Sequence, residues 1–370
     1  MNAAKDISQL SEILNQTLGV HKNNCETVID FAIALQKSRT VNLSQMVNYS
    51  GKVNEIKPES IYKNYQRLIH KSQICQSDLA KCIVTMYGLE DCKLTLSMDR
   101  TNWRYGKADI NFLVLSVCLI GTAIPLYWLE LDTKGNSDTE ERIKIMKMFV
   151  TDFGVAKIDF LVADREFIGN GWFNYLSTTG INFGIRIKSN MQLKLSNGEK
   201  IGAGALFKLV SRGGMISHQI KIDWINLLAQ GTRSSKNELV IIVSNNLVEP
   251  NLLVIYAKRW RIECLFGQLK SRGFNFEETH FTVKERVGNL MKFLVISFAI
   301  CYLIGLVHAK NNPILIKKHG RQLKSFFRHG YDLLIRALNS NFKKAIDMIV
   351  TCFGKINLAE KCQQLICVMY

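Results

Sequence analysis

The sequence has few acidic residues for its length, and its cysteines lack the spacing of a metal or disulfide framework. Asp plus Glu number 31 against 48 Lys plus Arg, which gives a formal net charge of +17 over 370 residues. The ten cysteines are scattered without a Cys-x-x-Cys pair, and the closest two, Cys362 and Cys367, match no zinc-binding spacing. We expect reduced, mostly buried thiols in a cytoplasm, since no signal peptide is recognisable either.

The positive excess favours a polyanionic partner, which is most often nucleic acid or an anionic membrane surface. Residues 301–370 carry 11 Lys and Arg against three acids, so +8 of the excess lies there, whereas the first 90 residues are nearly balanced. A merely basic protein without such a partner is the alternative that composition leaves open.

Two long uncharged stretches test the membrane alternative. Residues 111–129 contain Ser, Gly, Thr and Pro, and predict two buried strands around a turn at Gly121-Thr122. Residues 293–309 are short for a membrane span and follow Lys292, so a buried helix is the better interpretation. We therefore expect no membrane partner.

Residues 1–90 predict a helical module. Apolar residues recur at helical spacing over 6–18 and 25–35, a turn at 40–44 leads into a short helix, and a further helix follows 57–60. That last helix combines tyrosines with cations: Tyr62, Lys63, Tyr65, Arg67, His70 and Lys71. Such a module suits DNA binding, and a helical cap that only supports the core is the alternative.

From residue 93 the apolar period changes to two, which predicts an α/β core with a mixed sheet. A first strand ends at Asp99, strands follow at 112–120 and 123–131, and a Ser137-x-x-Glu140 capping box opens a helix through Phe149. The next buried strand, 160–163, ends at Asp164. Residues 183–245 then alternate again, with predicted strands at 184–188, 191–195, 218–222 and 238–243, and predict an inserted, β-rich subdomain.

Four residues further on share one face of a predicted helix. Tyr256, Arg259, Glu263 and Lys270 lie at offsets 0, 3, 7 and 14, which places them within an arc of roughly 60°. The adjoining arc is apolar and predicts the buried side, formed by Ile262, Leu265, Phe266 and Leu269. Pro250 suits the first turn of this helix and Gly273 suits its end.

These carboxylates suggest phosphoryl transfer. Asp99 and Asp164 at strand ends, joined by Glu263, form an all-oxygen ligand set that suits two Mg²⁺ or Mn²⁺ ions. Arg259, Lys270 and the Tyr256 hydroxyl would then bind phosphates. The alternatives are plain turn residues for each Asp, and a surface ion pair between Arg259 and Glu263.

The spacing Tyr256-x2-Arg259-x3-Glu263-x6-Lys270 resembles the signature of DDE transposases from bacterial insertion sequences, in the cut-and-paste group with a β-rich insertion. Within this resemblance Asp99, Asp164 and Glu263 match the three catalytic acids. The segment Gly320-Arg321-x-x-Lys324-Ser325-x-Phe327-Arg328 is similar as well. The resemblance covers about residues 30–335.

The resemblance implies a ribonuclease-H-like core and a metal-dependent DNA transposase in the bacterial cytoplasm, associated with the nucleoid. Asp99, Asp164 and Glu263 would bind two Mg²⁺ ions, and the protein would act as a homodimer on terminal inverted repeats and target DNA, through a hairpin intermediate. A Trp from the insertion supports a flipped base in relatives, and Trp224 is the candidate here, with a plain strand-core role as its alternative. Trp103, close to Asp99, is expected to pack.

The implied domain division is a helical DNA-binding module (1–90), a catalytic core in two parts (91–182 and 246–310), the β-rich insertion (183–245) and a basic helical C-terminal region (311–370). Two other functions stay open on the acids alone. One is a non-catalytic relic that binds terminal repeats and represses its own element. The other is a nuclease with the same core and no strand transfer.

Overall fold

The computed structural model describes residues 2–132, 135–318 and 320–353, so Cys362, Cys367 and the rest of the C-terminal region beyond residue 353 lie outside the described part. The N-terminal region is helical, as its periodicity predicts. Its helices are α1 (Asn2–Leu18), α2 (Lys22–Ser38), α3 (Leu43–Met46), α4 (Pro58–His70) and α5 (Gln76–Met86).

A mixed sheet with two helices follows. Its elements are β1 (Leu94–Tyr105), β2 (Ala108–Leu119), β3 (Thr122–Glu130), α6 (Thr139–Phe153), β4 (Ile158–Ala163), α7 (Asn170–Thr178) and β5 (Phe183–Ile187). The strand order is β3-β2-β1-β4-β5, with β1 to β3 antiparallel neighbours and β1, β4 and β5 parallel neighbours. This is the ribonuclease-H-like mixed core that the resemblance implies.

The insertion adds β6 (Gln192–Leu195), β7 (Lys200–Gly202), α8 (Ala203–Leu206), β8 (Met215–Ile222), β9 (Ile225–Arg233) and β10 (Leu239–Ser244). Its strands continue the core sheet beyond β5 in the order β10-β9-β8-β6-β7. The predicted strands in this segment are present. Strand β9 was not predicted, because the two-residue loop that links it to β8 contains no glycine to mark a turn. Asp223 adopts the positive φ, 57°, that a glycine usually supplies there.

The described part of the chain ends in five α-helices: α9 (Leu252–Ala257), α10 (Trp260–Leu269), α11 (Lys284–Asn311), α12 (Phe326–Ser340) and α13 (Phe342–Phe353). Within the described residues, α11 is long and apolar enough to cross a membrane, yet 89% of its apolar window is buried inside the protein. It is the central core helix. α12 crosses it at Gly305 and Gly330, where a Cβ on either residue would collide with the facing backbone.

The N-terminal helices share this core. Gln36 of α2 donates a hydrogen bond to the Ser297 carbonyl of α11 (3.2 Å), and the Tyr87 hydroxyl donates to the Ala299 carbonyl (2.6 Å). The N-terminal module therefore caps α11, while the cations of α4, Lys63 and Arg67, remain exposed to solvent. This packing is compatible with both the cap and the DNA-binding interpretations.

Two local predictions are wrong by one residue. The capping box uses Asp138 and Glu141, with α6 beginning at Thr139, because an aspartate carboxylate at the N-cap accepts from the N3 backbone as well as a serine hydroxyl does. The turn between β2 and β3 consists of Ile120 and Gly121, since Thr122 already pairs with Leu119. Gly121 supplies the positive φ, 70°, that this two-residue turn needs.

Candidate active site

Asp99 and Asp164 lie side by side because their strands are parallel neighbours. The last aligned pair of β1 and β4 is Met98 with Ala163, so each aspartate directly follows that pair. The prediction that the first strand ends at Asp99 is wrong: β1 continues to Tyr105 because β2 pairs with it as far as Ala108. Asp99 instead marks where the β1–β4 pairing ends, which opens a crevice there.

The helix predicted for the third acid is two helices. α9 ends at Ala257 and α10 begins at Trp260, and the junction is a tighter turn, in which the Arg259 N–H donates to the Tyr256 carbonyl (2.9 Å). The sequence shows no break because it contains no Gly or Pro here. The predicted apolar side is nevertheless correct, with Ile262, Leu265 and Leu269 buried and Phe266 partly buried against the core.

The Arg259 guanidinium joins two of the predicted acids. One nitrogen lies 2.6 Å from Glu263 Oε1 and another lies 3.7 Å from Asp99 Oδ2. The Arg259 side chain is only 12% exposed. The i,i+4 ion pair that the sequence left open is therefore present, but it is partly buried and extends to Asp99.

Asp164, the remaining predicted acid, joins this group through Tyr256. The Tyr256 hydroxyl donates a hydrogen bond to Asp164 Oδ1 at 3.2 Å, and the Tyr256 ring packs against the Arg259 guanidinium at 5.7 Å. Burial raises the pKa of the Tyr256 hydroxyl, so it stays a donor. The structure thus links all three acids through two adjoining side chains from α9 and the start of α10.

Asp99 carries the clearest electrostatic signature. Burial raises its pKa to about 7, and the negative charges of Glu166 and Asp164 act in the same direction. The Arg100 N–H, which donates to Asp99 Oδ1 at 2.8 Å, and the Arg259 cation oppose the rise without cancelling it. The raised pKa therefore reflects chiefly the removal of Asp99 from water, which the nearby donors only partly offset.

Sequence reasoning missed Glu166 and Arg100 as members of the site. Arg100 holds Glu166 with two hydrogen bonds, Nε to Oε1 at 2.8 Å and Nη2 to Oε2 at 3.0 Å. This bidentate pair fixes the loop that follows Asp164. The available signal was the run Asp164-Arg165-Glu166, where a second acid lies two residues after the first.

Lys270 lies away from the acids. Its ammonium pairs with Glu277 at 2.7 Å, donates to the Asn102 carbonyl at 3.3 Å and lies 5.4 Å from the centre of the Trp103 ring. Trp103 packs as expected, against Phe276 at 4.8 Å between ring centres. The single helix face predicted for these residues is therefore not formed, because α9 and α10 are separate helices and Arg259 and Lys270 turn toward different carboxylates.

Trp224 lies in the loop between β8 and β9, where Ile222 pairs with Ile225. Its surface is 60% exposed. The strand-core alternative for Trp224 is therefore wrong, since a two-residue hairpin loop has no second layer to cover it.

The oxygen ligands of the three acids suit a divalent cation, although their side chains are not grouped closely enough here to coordinate one together. Carboxylate oxygens are the ligands that Mg²⁺ and Mn²⁺ prefer, and Asp99 and Glu263 already share one cationic group, Arg259. Among the described residues, however, no three His, Cys, Asp or Glu side chains are grouped closely enough to hold a metal. Arg259 supplies part of the counter-charge that such an ion would provide.

Comparison with known proteins adds a family match and a structural similarity. The family model described as the transposase DDE domain matches residues 91–303. A cryo-EM structure of a piggyBac transposase synaptic complex with hairpin DNA is similar at 10% sequence identity and a TM-score of 0.48, over 94% of this chain and 82% of that one. No curated protein matches the sequence.

Proposed function

The chain belongs to the transposase DDE domain family, whose model spans more than half of its residues, and from that membership we propose how this DNA transposase works. It cleaves DNA at the terminal inverted repeats of its element and joins the freed ends to target DNA, through a hairpin intermediate. The observation that carries the proposal is the convergence of Asp99, Asp164 and Glu263 on Arg259 and Tyr256 in one crevice.

Asp99, Asp164 and Glu263 would hold the two Mg²⁺ or Mn²⁺ ions. Bound there, the ions would activate the attacking oxygen and stabilise the leaving oxygen. The chain contributes the three carboxylates, and a cation bound beside Asp99 would offset the burial that raises the pKa of its side chain. Cation binding at Glu263 requires the Arg259 guanidinium to give up its contact with that carboxylate, which frees it to bind a phosphate by two parallel hydrogen bonds.

Tyr256, Arg259 and Lys270 are the proposed DNA ligands around the acids, and Trp224 is the proposed support for a flipped base. The outer face of α4, with Lys63 and Arg67 exposed, is the proposed contact of the N-terminal module with the terminal repeat. A homodimer on two repeat ends, in the bacterial nucleoid, completes the proposal.

The relic and nuclease alternatives differ from this proposal in their products. A relic retains the acids only by chance, whereas here they share a partly buried network with Arg259. A nuclease that forms no hairpin needs no side chain to support a flipped base. In this protein the insertion presents an exposed tryptophan, Trp224. Neither alternative is favoured by a specific observation.

The direct test uses purified full-length protein, Mg²⁺ and a duplex that ends in the inverted repeat found beside the gene. We expect a nick, followed by a hairpin on the flanking or element end, resolved on a denaturing gel. Cleavage without a hairpin would favour the nuclease. Retarded DNA without any cleavage would favour the relic.

Trp224→Ala is expected to weaken formation of the hairpin product while leaving the fold intact. Loss of one stacked base costs about 1–3 kcal/mol, which corresponds to roughly 5- to 150-fold in the hairpinning rate. The melting temperature should not change, because the side chain is 60% exposed.

Single-turnover rates of nicking and hairpinning provide the measurement. Leu209→Ala, at a residue of the same insertion that is 89% exposed, is the matched control and should leave both rates unchanged. A Trp224→Ala protein with a normal hairpinning rate would remove the base-support role.

A further inference from the structure

The segment between α11 and α12 forms an exposed β-hairpin that the proposed chemistry does not use. Its arms are residues 314–318 and 320–324, named here the basic hairpin. Ile316 pairs with Gln322 across the arms, the Lys317 N–H donates to the Arg321 carbonyl (2.9 Å), and the Leu323 N–H donates to the Leu315 carbonyl (2.7 Å).

This register gives one face of the basic hairpin an apolar pair and a cationic pair. Leu315 stands opposite Leu323, and Lys317 stands opposite Arg321, two residues nearer the tip. Leu315 is 67% exposed and Leu323 is 46% exposed. Positive charge and exposed apolar surface are therefore combined on one face of the hairpin.

The charge of the segment points the same way. Residues 310–324 contain five Lys and Arg and no acidic residue, and these five cations are exposed. Lys324 forms an ion pair with Asp332 of α12, whereas the other cations of the hairpin lie toward its tip. Two copies of so basic a segment would repel each other, which argues against a contact between identical hairpins.

The basic hairpin lies beside the helix that carries Glu263. A cleft is lined by Gln268 of α10, by Gly121 and Thr122 at the β2–β3 turn and by Arg321 and Lys324 of the hairpin. Gln268 is five residues after Glu263, which places it about 7.5 Å along the helix axis and about 140° around it. The β2–β3 turn lies near the amino-terminal end of β1, whereas Asp99 follows the last pair of β1 with β4. The hairpin therefore flanks α10 on a different face from the acids, and it would contact the duplex away from the reacting phosphates.

We propose that the basic hairpin is a DNA-binding element, whose cations contact phosphates while Leu315 and Leu323 lie against a groove of the same duplex. A two-stranded ribbon fits the major groove of B-DNA, and exposed apolar side chains rimmed by charge mark a recognition surface. The inference rests on the proposed function, because it assumes that DNA is the substrate.

The test measures binding of the full-length protein to a duplex of about 40 bp and arbitrary sequence over a range of salt concentrations. A variant with Lys317→Ala, Lys318→Ala and Arg321→Ala should bind at least about tenfold more weakly at low salt. The slope of log K against log salt should become shallower by about 2–3, since each lost phosphate contact removes nearly one released counterion.

A charge-matched control variant carries Arg336→Ala, Lys343→Ala and Lys344→Ala, at three exposed cations of α12 and α13. It should keep a slope close to that of the wild type. Equal slopes for the hairpin variant and this control would overturn the inference, because net charge alone would then explain the effect. Unchanged melting temperatures of both variants verify that they fold.

The apolar pair is tested separately with Leu315→Ser and Leu323→Ser together. We expect weaker duplex binding with an unchanged salt slope, because lost groove contacts release no counterions. If duplex binding is unaffected and sedimentation instead shows loss of a protein oligomer, the hairpin is a protein interface and the inference is wrong.

Failure of the proposed function is distinguishable from failure of this inference. At saturating protein, the hairpin variants should still nick the terminal-repeat duplex, since the acids are untouched. A wild type that never nicks, but whose salt slope depends on the hairpin, would refute the transposition chemistry and leave the DNA contact standing.

Discussion

Glu263→Gln is expected to reduce strand cleavage by on the order of 10³-fold or more while DNA binding stays within a few-fold of the wild type. The amide keeps the shape of the side chain but removes the charge that a divalent cation requires. Stabilisation of transition-state charge by such an ion is worth several kcal/mol, and about 1.4 kcal/mol corresponds to each tenfold in rate. Single-turnover nicking assays and a gel-shift titration measure the two quantities.

Glu277→Gln is the matched control for this variant. Glu277 also pairs with a cation of the predicted signature, Lys270, at 2.7 Å, but it lies outside the group of acids around Arg259. We expect its nicking rate to fall by no more than about tenfold, because only one half-exposed ion pair is lost. If the Glu263→Gln protein cleaves as fast as this control, Glu263 is not the third ligand.

Asp99→Asn should abolish cleavage and, in metal-free buffer at about pH 8, make the protein more stable than the wild type. The pKa of Asp99 is raised by burial to about 7, whereas an unfolded Asp titrates near about 3.9. Between these values the folded protein binds more protons than the unfolded one, so the free energy of unfolding falls as pH rises from about 4 to 7. The loss amounts to at most about 4 kcal/mol and is complete above about pH 7.

Thermal melts at about pH 4.5 and about pH 8 measure this effect. The Asp99→Asn substitution should raise the melting temperature at the higher pH by several degrees and change it much less at the lower pH. Asp347→Asn, at an exposed residue of α13, should change neither value. A wild type that equals or exceeds the Asp99→Asn variant at the higher pH would show that the Arg259 cation outweighs the burial of Asp99.

Added Mg²⁺ supplies a second measurement on the same variant. A ligand that binds only the folded state raises stability by an amount that depends on its concentration relative to Kd. The wild-type melting temperature at about pH 8 should therefore rise with Mg²⁺, and that of Asp99→Asn should rise much less. Equal responses would indicate that Mg²⁺ binds away from Asp99.

Periodicity predicted most elements of this chain because each element buries a face that its own residues define. The alternation from Leu94 to Met98 and the apolar side of α10 are local patterns, and the structure has the strand and the buried helix side, although both faces of β1 are buried over these residues. The break between α9 and α10, in contrast, is not marked by any pattern in the residues at the junction. Good helix-forming residues run through Lys258 and Arg259, and nothing in them marks the tighter turn.

The sequence also did not predict which residues the charged side chains contact. Helical spacing places Arg259 near Glu263, but it does not predict the contact of Arg259 with Asp99. Asp99 lies 160 residues earlier, and the β1–β4 pairing determines its position. The same limit applies to Lys270, whose ammonium is held by Glu277 and Trp103. The exposure of Trp224 depends on a hairpin loop whose second strand was not predicted.

The sequence by itself supplied the three candidate acids, the apolar faces and the positive excess of the C-terminal region, since residue type and spacing carry that information. Only the tertiary structure decided that Arg259 lies among these acids, that Asp99 is buried enough to raise its pKa to about 7, and that residues 314–318 and 320–324 pair as an exposed basic hairpin. Burial and charge pairing depend on contacts between segments that are distant in the chain, and residue spacing within one segment does not predict those contacts.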